Sequence, residues 1–448
     1  MLSRILGLAR DVAIASVFGA TIGADAFFVA FKVPNFMRRL FAEGAFAQAF
    51  VPVLTEYKTK RSHAEVQELV NYVAGTLGVI LGVLTIVAVL TAPWLIVVFA
   101  PGFVSEPDKL HLAGEMLRLT FPYLFFISLT AFAGSILNSY GRFAVPAFAP
   151  VLLNVCLISA ALWFSPLFSQ PITALAWGVL IAGVLQLLLQ LPFLARIRLL
   201  PKPQFSKFGP QQHEGVKQIM TLMLPALFGV SVSQINLLLD TVLASFLETG
   251  SVSWLYYSDR LVELPLGVIG IALATVILPS LSAKHAAKSP QAFAKTLDWA
   301  MRIVLFVGVP ASIALFVLAE PIITVLFQRG EFGERSVVMS AQSLRAYSIG
   351  LLAFMLIKVL APGYFARQDT RTPVKIGIKA MAVNMVFNLI LIWPLAHVGL
   401  ALATSLSAFL NAGWLLLGLH RKGVFYFQPG WGVFLLRLGV ASCTMLGV

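Results

Sequence analysis

Residues Leu69–Ala100 read LVNYVAGTLGVILGVLTIVAVLTAPWLIVVFA and contain no charged side chain over 32 positions. A helix of about 20 apolar residues crosses the hydrocarbon core of a bilayer, so this stretch is long enough to span it. Lipid offers backbone groups no hydrogen-bond partner, which restricts spanning segments to helices or a closed barrel. Barrel strands alternate polar and apolar residues over about 10 positions, and this stretch does not. It therefore predicts a membrane helix.

The composition of the whole chain agrees with that prediction. Of its 448 residues, 59% are hydrophobic and only 11% are charged, whereas soluble domains carry about 25% charged residues. Cys156 and Cys443 both lie in apolar stretches, so we expect packing roles and neither a disulfide framework nor a metal cluster. We expect no cleavable signal peptide, because Met1–Arg10 already carries two arginines within an apolar helical pattern. The composition excludes a soluble enzyme and predicts an all-α polytopic membrane protein.

Apolar runs recur along the chain and predict twelve spanning helices, with the start of a thirteenth near Trp431. The predicted limits are 1–22, 26–54, 67–100, 112–138, 146–165, 172–195, 218–246, 254–282, 296–327, 338–364, 376–394 and 398–419. Under this assignment one set of alternate loops holds seventeen Lys and Arg residues, and the other holds only Lys109, Arg329 and Arg335. Because Lys and Arg accumulate in cytoplasmic loops, we expect a cytoplasmic N-terminus. The net charge of +13 then reflects topology and not nucleic-acid binding.

Three motifs repeat at an offset of 227 positions: Pro52 with Pro279, Pro146 with Pro373, and the Ala-Leu-Ala runs at 174–176 and 401–403. The offset indicates duplication of a six-helix unit. Parallel repeats of this kind place a site at their interface, so we expect two six-helix bundles around a central cavity. The predicted domains are an N-terminal lobe (1–195), a cytoplasmic linker (196–217), a C-terminal lobe (218–420) and the start of the thirteenth helix (421–448). The repeat alignment also predicts a chain shortened at both ends.

Charged residues within the predicted spans are candidates for function, because each costs about 2.5–3.5 kcal/mol to insert at the centre of a membrane helix. They are Arg4, Arg10, Asp11, Asp25, Lys32, Arg38, Arg39 and Glu43 in the first half, and Asp259, Arg260, Glu263 and Lys358 in the second. Guanidinium groups match phosphate oxygens geometrically. We therefore expect a water-filled cavity with uncompensated arginines that binds an anionic substrate. Alternatively, the arginines reach the membrane interface or pair with carboxylates, as Arg260 could with Glu263.

Two further features bear on movement and on ion coupling. Pro34 removes a backbone hydrogen bond and predicts a bend in the second span, and the small residues around Gly44 permit close helix packing. Asn384 and Asn388 lie one helical turn apart, and with Asp240 and Thr404 they offer oxygen ligands for a small cation. Membrane asparagines also form ordinary interhelical hydrogen bonds, which is the alternative interpretation.

The chain contains no phosphate-binding GxxxxGK[ST] loop, no nucleophile elbow and no HExxH motif. We therefore expect a transporter that is not an enzyme and that needs no cofactor apart from a coupling cation such as sodium. Its energy would come from ion gradients or from the membrane potential, which acts at about 2.3 kcal/mol per charge per 100 mV.

Several motifs resemble the MurJ (MviN) lipid II flippase family, in the multidrug/oligosaccharidyl-lipid/polysaccharide exporter superfamily. The resemblance covers essentially the whole chain. The motifs are SRILGLARD at 3–11, DAFFVAFK at 25–32, Pro34-Asn35, RRLFAEGAF at 38–46, SVSW at 251–254 leading to Tyr257 and Asp259-Arg260-Leu261, and LAPG at 360–363.

The resemblance implies fourteen spans, the last two forming a groove for the undecaprenyl tail; this chain stops within the thirteenth. It implies that Arg4, Arg10, Arg38 and Arg260 face the substrate pyrophosphate, and that five further residues gate or line the cavity: Asp25, Arg39, Glu43, Asp259 and Glu263. It also implies a sodium site at Asp240, Asn384, Asn388 and Thr404, although Asn388 replaces an acidic residue, which weakens the case for sodium.

We therefore predict an inner-membrane flippase that carries lipid II, the undecaprenyl-pyrophosphate-linked peptidoglycan precursor, to the periplasmic leaflet by alternating access. Its expected partners are lipid II and membrane lipids, with no nucleic acid. One alternative is a flippase for another polyprenyl-linked glycan. A second is an ion-coupled drug antiporter of the same superfamily, which would require a mainly acidic cavity. A third is a membrane-embedded glycan transferase, which would require a catalytic acid or a large extracytoplasmic loop.

Overall fold

The computed structural model describes residues 2–205 and 213–447. Some helical side chains lie outside this description, at positions 2, 41–44, 225–226, 228–237, 271 and 446–447. All regular secondary structure in the described ranges is helical, which confirms the predicted all-α class. The middle of the predicted linker, residues 206–212, lies outside the described residues.

By packing, the chain divides into two compact units, Met1–Gly250 and Ser251–Val448. The α-helices of the first unit are α1 (Leu2–Phe18), α2 (Ile22–Arg38), α3 (Ala47–Lys60), α4 (His63–Leu90), α5 (Ala92–Phe99), α6 (Pro107–Thr120), α7 (Tyr123–Ser139), α8 (Ala144–Ser159), α9 (Thr173–Arg196) and α10 (Glu214–Ala244). Those of the second unit are α11 (Ser251–Pro265), α12 (Ile271–Ala286), α13 (Pro290–Val317), α14 (Ala319–Phe327), α15 (Glu334–Phe365), α16 (Arg371–Arg421) and α17 (Trp431–Gly447).

The packing boundary differs from the boundary that the repeat predicts. Helix α10 belongs to the first compact unit, whereas the repeat assigns it to the C-terminal lobe. The compact units are defined by which helices contact each other, whereas the predicted lobes are defined by which sequence segments repeat. The lobes 1–195 and 218–420 therefore stay a prediction.

Within the described residues, eight helical stretches are long and apolar enough to cross a membrane. They are His63–Leu90, Pro107–Ser139, Ala144–Leu167, Thr173–Arg196, Ser251–Ala286, Pro290–Val317, Glu334–Phe365 and Arg371–Arg421. Helix α16 contains two predicted spans, because Ala396 has a left-handed φ of 48° that interrupts its 51 residues. The full layout of twelve spans and part of a thirteenth stays a prediction.

The second predicted span has an irregular segment beyond its proline. Helix α2 continues through Pro34 to Arg38, and a π-helical segment then runs over Arg39–Phe46 before α3 begins. A π-helical segment leaves one extra residue per turn and often marks a functional position. The bend predicted at Pro34 stays a prediction, and the irregular segment lies just beyond it and contains Gly44.

Helix α4 begins with a reciprocal cap. The Ser62 hydroxyl accepts from the backbone N–H of Glu65, and the Glu65 carboxylate accepts from the backbone N–H of Ser62. The cap satisfies two of the donors that a helix start leaves without partners. The cap fixes the residue at which the long apolar helix begins.

An extended segment, Leu199–Phe205, lies against α4, and we call it the strap. Asn71 holds it in two ways: its side-chain oxygen accepts from Lys202 N at 2.8 Å, and its backbone oxygen accepts from Gln204 N at 3.1 Å. The strap crosses α4 at Gly75, where a Cβ would lie 2.0 Å from the Gln204 carbonyl oxygen. Glycine is required at this crossing.

Each unit has its own aromatic core. In the first, Phe50 packs between Phe46 and Phe132, with ring centroids 5.2 and 5.1 Å apart. In the second, Tyr257 packs against Phe327 at 5.2 Å and against Phe332. Helix α15 is the centre of the second unit, since it packs against α11, α12, α13, α14 and α16. These cores hold rigid helices on which the charged side chains are placed.

Candidate functional site: buried charges in the two units

Arg10 is held by two neighbours in the first unit. It donates from Nε and Nη2 to Asp11 Oδ1 at 2.9 and 2.7 Å, and from Nη1 to Asn154 Oδ1 at 3.1 Å. The Asn154 side-chain amide also donates to Ser3 O at 3.0 Å. Asn154 is on α8, which packs along α1. The guanidinium plane is therefore fixed by an acid on its own helix and by an amide on the next.

This pairing corrects one expectation from the sequence. Arg10 was expected to be uncompensated, but it forms an ion pair with Asp11, whose side chain is 3% exposed. Adjacent residues on a helix point about 100° apart, so the pair depends on the long arginine side chain folding back. Whether Arg10 contacts a substrate stays a prediction.

The other predicted arginines of the first unit are less buried. Arg4 is exposed near the start of α1. Arg38 is half-buried at the end of α2 and donates from Nε to Asn35 Oδ1 at 3.3 Å. Arg39, also half-buried, opens the π-helical segment. The side chain of Glu43 lies outside the described residues. Arginine and lysine therefore outnumber the described carboxylates on α1 and α2.

A second buried cluster surrounds Asp25, near the start of α2. Its carboxylate lies 3.2 Å from Lys109 Nζ, and both side chains are only 1% exposed. Asp25 Oδ2 also accepts from the backbone N–H of Gly250 at 2.7 Å. Gly250 has φ 102°, a conformation that only glycine adopts readily. The carboxylate thus joins α2, α6 and the loop after α10.

Lys109 completes that cluster. It donates to Thr249 Oγ1 at 3.1 Å, lies 3.6 Å from Glu106 Oε1 and sits 4.5 Å above the Phe103 ring. Burying an ammonium is costly unless it is paired and hydrogen-bonded, and here it is both. Sequence reasoning missed this residue by counting it among loop charges. Lys109 lies two residues after Pro107, at the start of a helix. That position in the sequence did not indicate that its side chain would be buried.

In the second unit, Arg260 lies on α11 and pairs with Glu263, one turn later, at 2.6 Å. Its guanidinium also sits 4.9 Å from the Tyr256 ring centroid. Arg260 is therefore not uncompensated, and the alternative of local pairing describes its state. Asp259 is half-buried beside it. The side chains of Arg260 and Glu263 are 30% and 45% exposed, so neither is fully buried.

The residues of the predicted sodium site fall in both units. Asp240 is half-buried on α10, whereas Asn384 and Asn388 are buried at 1% and 0% exposure on α16. The Thr404 hydroxyl donates to Leu400 O at 3.0 Å, which leaves its oxygen able to accept or to coordinate. Amide, hydroxyl and carboxylate oxygens suit hard cations. Within the described residues, no group of three His, Cys, Asp or Glu side chains is arranged to hold a metal, so this site stays a prediction.

Comparison with protein families places the chain. The family model described as "Lipid II flippase MurJ" matches residues 14–448. A protein of Vibrio cholerae named "Probable lipid II flippase MurJ" is 51% identical over 454 residues, with 100% of this chain and 86% of the relative covered. "Lipid II flippase MurJ" of Burkholderia cenocepacia is 43% identical, with 100% of this chain and 87% of that protein covered.

Solved structures agree with the family match. The structure titled "Lipid II flippase MurJ, inward closed conformation" has a TM-score of 0.83 at 27% identity, covering 99% of this chain and 89% of its own. An inward-facing multidrug resistance MATE family transporter has a TM-score of 0.74 at 16% identity, covering 94% and 95%. The MATE similarity establishes a shared fold alone. On the family match and the full-length relatives, the chain is a multi-pass membrane protein of the MurJ lipid II flippase family.

Proposed function

We propose that this protein flips lipid II, undecaprenyl-pyrophosphate-linked disaccharide-pentapeptide, from the cytoplasmic to the periplasmic leaflet of the bacterial inner membrane. The observation that carries the proposal is similarity over the whole chain to proteins named lipid II flippases, at up to 51% identity. In the proposed membrane topology, the N-terminus is cytoplasmic. The protein is a transporter and catalyses no bond cleavage.

The arginines supply the binding chemistry in this proposal. A pyrophosphate presents several oxygens, and a guanidinium can donate two parallel hydrogen bonds to them. Arg10 is already oriented by Asp11 and Asn154, so little side-chain entropy is lost on binding. Arg4, Arg38 and Arg260 add positive charge. The substrate phosphates compete with Asp11 and Glu263 for these arginines. Because the carboxylates can take the arginines back, the substrate binds and is also released.

The gating residues act through exchangeable contacts. Asp25 ties α2 to the loop before α11 through Gly250 N, a contact that can break without unfolding either helix. Arg39, Glu43, Asp259 and Glu263 line or gate the transport path in the same proposal. The two halves of the repeat alternate access to the site. A coupling cation such as sodium, at Asp240, Asn384, Asn388 and Thr404, is one source of energy, and the membrane potential is the other.

A MATE family transporter shares the fold, but a drug antiporter function would require a mainly acidic cavity for cationic drugs. The excess of Arg and Lys on α1 and α2 favours an anionic substrate instead. A flippase for a different polyprenyl-linked glycan would use the same arginines, so the glycan must be identified by assay.

Depletion of the protein in growing cells tests the proposal. We expect lipid II to accumulate with its headgroup accessible only from the cytoplasmic side, and plasmid-borne wild-type protein to reverse the accumulation. Arg142→Ala, in an exposed loop, serves as the control and should restore transport fully. Accumulation of a different lipid-linked glycan, with lipid II distributed normally, would assign the protein to that substrate.

A further inference from the structure

A cavity of about 500 Å³ lies in the first unit between α4, α7, α10 and the π-helical segment, away from the charged clusters. Its wall on α4 runs from Val73 to Val87, a rise of about 21 Å at 1.5 Å per residue. Val79, Val83 and Val87 line one side and are 40–57% exposed. The cavity is therefore an elongated apolar groove whose open side exposes apolar side chains of a helix long enough to cross a membrane.

Two hydroxyl groups interrupt the apolar wall. Thr76 on α4 and Ser128 on α7 line the cavity and are 9% and 2% exposed. Among the described residues, neither hydroxyl oxygen has a hydrogen-bond partner. Helical Ser and Thr commonly donate to the carbonyl four residues earlier, and Thr130 and Ser135 on α7 do so at 2.8 Å. Ser128 differs from its neighbours on the same helix, which points to a ligand as the missing partner.

The depth of these hydroxyls suggests which ligand atom they meet. Helix α4 has 28 residues and is about 42 Å long, so it exceeds the roughly 30 Å hydrocarbon core. Its polar positions, including Glu68 and Asn71, lie at the His63 end, so the hydrocarbon core begins close to Tyr72. Thr76 is then about 6 Å inside that boundary. A glycerophospholipid drawn about one helical turn into the groove brings its ester carbonyls, which accept hydrogen bonds but cannot donate them, to the depth of the two hydroxyls.

Exposed lysines lie at the same end of the cavity, near the ion pair of Arg61 with Glu214. Val216, in the first turn of α10, lines the cavity, and the next residue, Lys217, is exposed. Lys202 on the strap is also exposed. Lysine close to a membrane surface attracts lipid phosphate groups. The three features of the cavity therefore match a phospholipid in sequence. The apolar groove matches its acyl chain, the two hydroxyl donors match its ester groups, and the lysine matches its phosphate.

We propose that this cavity binds one acyl chain of a diacyl glycerophospholipid from the leaflet at the His63 end of α4. Thr76 and Ser128 donate to its ester carbonyl oxygens, and Lys217 lies beside its phosphate. The lipid fills the space between α4 and α10. This site is separate from the arginine clusters, and its occupancy does not depend on the identity of the transported substrate.

Lipid binding to the purified, delipidated full-length chain tests the proposal by native mass spectrometry. The two probes are a diester phosphatidylglycerol and its diether analogue, with matched headgroup and chain length. Only the diester has carbonyl oxygens, so we expect it to bind about tenfold more tightly. The Thr76→Val/Ser128→Ala variant should bind both lipids equally, at the affinity of the diether. Thr130→Val, whose hydroxyl bonds to its own helix, is the matched control and should keep the preference.

Two further measurements distinguish loss of lipid binding from loss of folding. Val83→Trp fills the groove and should weaken binding of both lipids. In lipid-free detergent, Thr76→Val/Ser128→Ala should unfold at the wild-type temperature or above it, because it removes two unpartnered buried hydroxyls. Equal binding of diester and diether to the wild type would overturn the proposal, as would a diester preference that persists in the double variant.

Discussion

Asn154 lies 144 positions after Arg10 in the sequence, yet it sets the orientation of that guanidinium. It accepts from Arg10 Nη1 and donates to Ser3 O, so it also fixes the start of α1. A hydrogen bond to a charged group contributes about 1.5–3 kcal/mol. The asparagine is therefore a positioning residue for Arg10.

Asn154→Ala should lower lipid II flipping by roughly tenfold or more, since Arg10 loses the hydrogen bond from α8 that orients its guanidinium. The measurement is leaflet exchange of lipid II in proteoliposomes. Cys156→Ala, on the same helix, is the control and should flip at the wild-type rate. A wild-type rate for Asn154→Ala would show that Asp11 alone positions the arginine.

Asp369, in the loop before α16, gives a pH-dependent prediction. The Lys422 ammonium and the Thr372 hydroxyl lower the pKa of its carboxyl to about 2, from an ordinary value of 3.8. A lowered pKa in the folded state stabilises the protein fully above about pH 4, and this stabilisation is lost as the pH falls towards 2.

Asp369→Asn should therefore lower the thermal unfolding temperature slightly at pH 7, because exposed ion pairs contribute little. The difference from the wild type should shrink as the pH approaches about 3 and the wild-type carboxylate begins to protonate. Thermal unfolding in detergent at several pH values measures this. A difference that stays constant down to that pH would exclude the ionised carboxylate as its cause.

Sequence reasoning found the charged residues and the pairing of Arg260 with Glu263, but not the partners that come from other helices. The free energy of inserting a charged side chain into a membrane depends only on residue type and depth. The sequence alone is therefore enough to identify Arg10, Asp25 and Arg260. Their partners depend on which helices become neighbours. Asn154 and Lys109 are brought to Arg10 and Asp25 by helix packing, and no local pattern encodes that packing.

At the scale of elements, the strap on α4 depends on the missing side chain at Gly75. Gly75→Ala places a methyl group 2.0 Å from Gln204 O, so the strap must move and the protein should lose about 1–3 kcal/mol of stability. Limited proteolysis at Lys202 should become faster. Gly78→Ala, on the same helix with nothing within 4 Å, should be neutral or stabilising. Equal proteolysis of the two variants would mean that the strap is not held at this crossing.

The contact between α2 and α6 rests on a buried ion pair. Lys109→Met leaves Asp25 buried without its cation, and removing one partner of such a pair costs about 3–5 kcal/mol. Asp25→Asn/Lys109→Met should recover much of that loss, since no charge is then left buried. Thermal unfolding of the single and double variants measures the coupling. Additive effects would indicate that the two side chains do not interact.

The positions of helices were more predictable than their irregularities. The apolar runs place most helices close to their observed limits, because hydrophobic length is a local property. The π-helical segment after Arg38 was not predicted, because the sequence indicated only a bend at Pro34. Proline marks where a hydrogen bond is lost, but packing decides where the helix accommodates the change.

For the molecule as a whole, the repeat at 227 positions predicts two related halves, although packing assigns α10 to the first compact unit. The sequence could not predict that assignment, because a duplicated segment keeps its pattern even where its contacts have changed. Both halves carry a predicted arginine, Arg10 on α1 in the first and Arg260 on α11 in the second. We propose that these arginines bind the pyrophosphate of a lipid-linked substrate.

Leaflet exchange of lipid II in proteoliposomes by Arg10→Gln and Arg10→Lys variants tests this claim most directly. Glutamine removes the charge, while lysine keeps it without the bidentate geometry. We predict no measurable exchange for Arg10→Gln and partial exchange for Arg10→Lys, with both proteins folded as judged by thermal unfolding. Exchange at the wild-type rate by a folded Arg10→Gln protein would contradict the account.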